Sequence, residues 1–159
     1  MGAVLMTLNQ SSAHQSIVIS WEEKNIKNLR TDQAIHVFGN ALQQVERRCL
    51  VTLSSVTVQV VLDRIIHEGI EKYPILKEVT IEVDGLNFKN ISQKKDHYDL
   101  KEINSAFRYL IIEFLTVIGS ITSEVLTAPL HKELMTVTSE SVLEVLEVQS
   151  LTLKKRGLK

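Results

Sequence analysis

The sequence predicts an α-dominated α+β domain: two long amphipathic helices, an intervening β-hairpin and shorter C-terminal helices. Three observations carry this reading. Apolar residues recur at spacings of three and four from Ile35 to Ile66 and again from Ile103 to Val125, the period of helices that bury one face. Between these segments, two runs of strictly alternating polarity meet at Asp84-Gly85. No repeat, low-complexity tract or Pro/Gly-rich linker divides the 159 residues, a length that suits one domain with its own core.

Along the chain, residues 1–15 read as a loose polar leader, 16–153 as a single globular domain and 154–159 as a basic tail. Ser16-Ile17-Val18-Ile19-Ser20 is β-prone and offers a third strand for the hairpin. Asp32 is placed to cap the first long helix. Its first stripe runs through Ile35, Phe38, Leu42, Val45, Cys49, Leu53, Val56 and Val60. A second set, Leu50, Val58, Val61, Ile65 and Ile66, projects to roughly the opposite side. Two geometries satisfy this: a helix broken near 52–55, where β-branched and serine residues lower helix propensity, or one long helix over 32–72 with two buried faces. The absence of Gly or Pro between Gly39 and Gly69 favours the continuous helix.

Gly69 and Tyr73-Pro74 end that region. Asp84-Gly85 is expected at the two central positions of a type I′ turn, with Val79, Ile81, Val83, Leu86 and Phe88 on the apolar side. A lone hairpin is marginal in water, so it must pack on a helix. Ile91 to His97 reads as a polar loop. Asp99, with Glu102 three residues on, caps the second long helix. That helix buries Ile103, Phe107, Leu110, Phe114, Val117, Ile118, Ile121 and Val125, and places Arg108, Glu113, Thr116, Ser120 and Glu124 on its solvated side. It should run to about Leu126; Pro129 breaks it and opens a short helix through Leu134. A last amphipathic helix starts at Ser141, with Glu144 as capping partner.

Composition narrows function mainly by exclusion. Net charge is −1, which leaves no electrostatic footprint for a nucleic-acid backbone or an anionic membrane. Lys154, Lys155, Arg156 and Lys159 make the one basic cluster, read as a solvated end. The most apolar stretch, Tyr109 to Leu126, is interrupted by Glu113 and Glu124, which argues against a bilayer span. The single cysteine, Cys49, precludes an internal disulfide and agrees with a cytoplasmic setting. It lies on the apolar stripe between Arg48 and Leu50, where a thiol behaves as a small inert hydrophobe.

Four residues are weak candidates for chemistry. Asp63, His67 and Glu71 stand at i, i+4 and i+8, so on a continuous helix they would share a face as a carboxylate-tuned histidine. The bland alternative is a solvated face with an Arg64–Glu68 pair, and no HExxH or ExxH motif adds the ligands a metal requires. His131, beside Glu133, has the setting of an exposed phosphoacceptor histidine and half of a zinc deaminase motif. The chain lacks the glycine motifs of a kinase partner and the paired cysteines of a deaminase. No nucleophile–base pair or phosphate-binding loop is present, so no enzyme activity and no cofactor are expected.

What remains is surface. Two apolar stripes on one helix and a broad face on the other exceed what one intramolecular helix pair covers. The sequence therefore predicts a non-catalytic regulatory or signalling domain acting by helix-mediated association, in the first place a homodimer through Phe38, Leu42, Val45, Cys49 and Leu53. The alternative is a small-ligand sensor with an apolar pocket between the hairpin and the helices.

Overall fold

A computed structural model describes the backbone of residues 2–155 and the side chains of residues 13–153. Most of the basic tail thus lies outside the described residues. Seven α-helices and one two-stranded hairpin make up the described chain: α1 (Gly2–Asn25), α2 (Thr31–Leu50), α3 (Ser55–Gly69), β1 (Thr80–Glu82), β2 (Gly85–Asn87), α4 (Lys89–Gln93), α5 (Leu100–Ile121), α6 (Thr127–Thr136) and α7 (Ser139–Lys155). The fold is α-dominated α+β, as the periodicities predict.

Helices α2 and α5 form the centre. Helix α5 packs against α1, α2, α3 and α6, while α2 also receives α7 and the hairpin. A run of aromatic rings ties four elements together. Trp21 of α1 tilts against Phe38 of α2 at 5.7 Å between centroids, Phe38 stacks on Phe107 of α5 at 5.0 Å, and Phe107 meets Phe88, just after β2, at 5.1 Å. By length and composition α5 could cross a membrane, yet half of that stretch is buried inside the fold, the burial of a core helix.

The N-terminal segment departs from expectation. Residues 2–15 belong to α1 rather than to a loose leader, and Ser16–Ser20 is helical, so the sheet has two strands and no third. The reason is burial at helical spacing: His14, Val18, Trp21 and Ile26 face inward, while Ile19 stays exposed. Local β-propensity is a weak prior that packing overrides. Asn28 adopts a left-handed conformation, with φ of 70°, in the turn to α2. Residue Asp32 sits inside α2 rather than at its cap and pairs with Arg30 at 3.3 Å; Gln33 Oε1 accepts from the Arg30 N–H.

The helix predicted as continuous over 32–72 is broken. Leu53 N–H and Thr52 N–H both donate to the Cys49 carbonyl, closing α2, and Ser54 Oγ accepts from Thr57 N–H to start α3. This is a serine N-cap placed within the β-branched stretch. The break resets the helical phase. Val58, Leu62, Ile65 and Ile66 of α3 now face the same core as Phe38, Leu42 and Val45 of α2, while Val51, Val56 and Val60 are turned to solvent. Two opposed stripes on one helix become two inner faces of two helices.

The hairpin forms one residue out of the predicted register. Glu82 pairs with Gly85 and Ile81 with Leu86, so Val83-Asp84 occupies the loop and Gly85 follows it with φ of +119°. Val83 is 95% exposed rather than on the apolar side; Val79, Leu86 and Phe88 are buried as expected. Val83 and Asp84 keep negative φ, which excludes a type I′ turn and leaves the positive-φ requirement to the glycine alone. The lysine-rich segment after it is not plain loop: α4 buries Ile91, and a 3₁₀ turn follows at Lys95–His97.

Asp99 caps α5 as predicted, its Oδ1 accepting from Glu102 N–H at 2.7 Å. The helix stops at Ile121, before Pro129 can act, because Ser123 and Glu124 turn left-handed with φ of 51° and 67°. Ile121 and Val125 are consequently exposed. Pro129 lies in the first turn of α6, where its missing N–H costs nothing. The cap of α7 is Thr138, whose Oγ1 accepts from Ser141 N–H at 3.2 Å, three residues before the predicted start.

Candidate functional site

The residues proposed as an interface do not reach the surface. Phe38, Leu42, Val45 and Cys49 are each at most 1% exposed and pack within the chain's own core, with Leu53 against its edge. The phase change at 51–54 is the physical reason: it lets α3 and α5 cover the stripe that a continuous helix would have left open. Burial also pushes the Cys49 thiol up to about 12, outweighing the lowering effect of the adjacent Arg48.

Asp63 and His67 lie on the exposed side of α3, and Glu71 falls beyond its end, exposed in the turn after Gly69. The structure does not assemble them into a site. Arg64 and Glu68 form the expected pair at 2.9 Å. Among the described residues no group of three or more His, Cys, Asp or Glu is placed to hold a metal ion.

His131 has a different setting from the free surface position its sequence suggests. On α6, its Nε2 lies 2.7 Å from Nδ1 of His14 on α1, the rings nearly perpendicular at 86°. His14 is fully buried, and its Nε2 meets no partner among the described residues. Burial holds both imidazoles below the ordinary histidine pKa, and each is partly compensated by the Glu124 carboxylate. Glu124 sits on the left-handed turn between α5 and α6, where Thr127 Oγ1 donates to its Oε2. Gly119 makes room for that carboxylate: a Cβ there would stand 2.8 Å from Glu124 Oε2. Sequence reading missed this pair because His14 was assigned to the leader. The signal was present in the spacing of His14, Val18 and Trp21, one helical face that, with Glu22 beside it, carries polar residues into the core.

The rest of α1 is fixed by polar bonds that tertiary structure alone reveals. Trp21 Nε1–H donates to the Val137 carbonyl at 2.7 Å, and Ser139 N–H donates to Asn25 Oδ1 at 3.0 Å. Arg108 is not on a solvated face. Its Nε and Nη2 donate to the two oxygens of Glu22 at 2.6 and 2.7 Å, a bidentate pair in which the carboxylate is largely buried. Glu113, also assigned to solvent, is half-buried; burial and the nearby Glu68 raise its pKa.

A groove of about 690 Å³ opens between α2, the Phe88 junction with α4, and α7. Ile35, Phe88, Val142 and Leu146 give it apolar walls, with His36 and Gln43 among its polar groups. Phe88, which follows β2, is the residue nearest the hairpin along the chain among those lining it. No family model matches the chain, and neither a curated protein nor a solved structure does.

Proposed function

We propose that this chain is a non-catalytic regulatory domain that acts by associating with protein surfaces through α7, in the first place with a second copy of itself. The observation that carries this reading is the exposure of that helix. Val145, Val148 and Leu151 are each 57% exposed and Leu153 48%, and every residue from Glu147 to Leu153 is open to solvent. Helix α7 rests on the core by Val142 and Leu143 near its start. An isolated helix of 17 residues is only marginally stable in water, and its stability usually comes from covering an amphipathic face. A partner helix laid along Val145, Val148 and Leu151 would supply that cover, and a two-fold axis pairs the same surface on both copies.

Light scattering on the wild type and on a Val148→Glu, Leu151→Glu double variant tests the proposal. The wild type is expected to have twice the chain mass at micromolar concentration. The variant should be monomeric with the body still folded, since both side chains are exposed in the single chain, and any loss of helix content should be confined to α7. A monomeric wild type removes self-association.

The groove supports a second reading, a small-ligand sensor. Its walls include Val142, Val145 and Leu146 of α7, so a molecule held there would touch the same helix. Binding in the groove would then bias how α7 is presented, the differential contact that coupling requires.

A further inference from the structure

The His14–His131 contact joins residues 117 positions apart and links α1 to α6 through two ring nitrogens 2.7 Å from each other. A gap of that length between imidazole nitrogens holds one proton. In the neutral pair one ring donates its N–H to the lone pair of the other. One further proton is compatible with the contact, because an imidazolium still donates to a neutral imidazole and Glu124 supplies a countercharge to both rings. A second further proton is not. With both rings charged, Nδ1–H of His14 and Nε2–H of His131 would point at each other across a space that fits one hydrogen, and two like charges would sit in a buried site. We infer that His14 and His131 form a proton-sensitive clasp, which holds α1 at His14 onto α6 when at most one ring is charged and releases it there when both are.

The groups acting on the clasp come from each element around it: His14 from α1, His131 from α6 and Glu124 from the intervening turn. Glu124 favours the charged rings but is already engaged by Thr127 Oγ1 and offers one negative charge against two positive ones. Burial and the repulsion of His131 together outweigh it at His14, and burial outweighs it at His131. The sign of the linkage follows. Both folded-state values lie below the ordinary histidine pKa of about 6.5, so the clasp's contribution is complete above that pH and is lost as pH falls through the lowered values. Release is local because the other anchors of α1 lie further along it: Trp21 on Val137, Glu22 on Arg108 and Asn25 on Ser139. Among the described residues before Val18, His14 alone makes a side-chain hydrogen bond to another element.

Amide hydrogen exchange on the full chain, corrected for the intrinsic pH dependence, tests this at pH 7.5 and 5.0. Residues 13–20 should lose protection at least tenfold at pH 5.0 while α5 keeps its own. His131→Gln, which cannot reach the doubly charged state, should show no such change. Equal protection of residues 13–20 at both pH values in the wild type overturns the clasp. So does a loss spread equally over α1 and α5, or the same loss in the variant. Should His131→Gln fail to fold, an NMR titration of the wild-type rings decides. Two coupled steps below the ordinary histidine value support the clasp, and two independent steps near that value overturn it.

Discussion

The α2–hairpin junction and the α1–α6 junction each bury a titratable group that lacks an ion-pair partner, and they do so with opposite consequences. Where α2 meets the hairpin, a single carboxylate is enclosed. Glu46 is 4% exposed and accepts the Leu86 N–H at 3.3 Å, while Gln43 Nε2 donates to the Leu86 carbonyl at 3.2 Å. Both backbone groups of one strand residue are therefore taken by α2 side chains, and the hairpin is docked as a unit. Where α1 meets α6, two ring nitrogens lie 2.7 Å apart, and His14 Nε2 has no partner among the described residues. Burial raises the pKa of Glu46, against the lowering effects of Leu86 N–H and Arg47, and it lowers those of the histidines. The same desolvation thus favours the proton on the acid and opposes it on the bases. The hairpin junction gains relative stability as pH falls; the α1 junction loses it. A buried acid holding a backbone N–H acts as a fixed dock, whereas a buried base pair with a shared proton has a second state within reach.

The largest expected effect strikes the fixed dock. Gly85 combines φ of +119° with a position where a Cβ would overlap Glu46 Oε1. Gly85→Val therefore meets backbone strain and a collision with the docking carboxylate together, and should destabilise the domain by about 2–5 kcal/mol. Chemical denaturation measures it, and an unchanged midpoint would remove the Glu46–Gly85 contact from the account.

A smaller loss is expected at the α1 junction. Trp21→Phe keeps the ring in the aromatic run but leaves the buried Val137 carbonyl without its donor, at a cost of about 1–3 kcal/mol. The same measurement applies, and a variant as stable as wild type would show that α1 is held by packing alone.

The smallest effect at neutral pH sharpens the comparison most. Glu46→Gln retains an oxygen for the Leu86 N–H and removes the cost of burying a charge. Stability at pH 7 should stay within about 1 kcal/mol of wild type or rise. The sign with pH is specific. A raised folded-state pKa means that the wild type loses this group's contribution as pH rises from the ordinary carboxylate value to the raised one. The difference between variant and wild type should therefore change across that window and be flat above it. A difference that is constant from pH 4 to 7 would contradict the raised pKa.

The legibility of the fold differs by region for identifiable reasons. Asp99 and the periodic face from Ile103 to Ile118 are visible in sequence because a cap and a 3.6-residue period are local properties. The hairpin was legible to within one residue, since Asp-Gly marks a turn but does not say whether glycine is its third or fourth position. The left-handed turn at Ser123 and Glu124 carries no glycine to announce it. The break at 51–54 was legible only as an alternative. Ser54 and the β-branched residues around it lower helix propensity, but choosing between one helix and two requires knowing what each half packs against. That choice governed the interface prediction, because the apparent apolar excess existed only while the helix was continuous. Of the candidate site residues, His131 alone takes part in a buried polar contact, and its partner lay in the segment read as a leader.

By itself the sequence determined the class of fold, the start of the central helix α5 and its inner face from Ile103 to Ile118, and the place of the hairpin to within one residue. These follow from periodicity, capping and turn chemistry, all set by neighbours within a turn or two. Tertiary structure alone decided that α1 is a helix, that α2 and α3 share one core face, and that His14 meets His131, Glu22 meets Arg108 and Glu46 meets Leu86. Those pairs are separated by 117, 86 and 40 residues, and no local rule connects side chains so distant. They are brought together when apolar faces close on one another, and a polar group carried inward by that closure is left with whatever partner the opposite element presents.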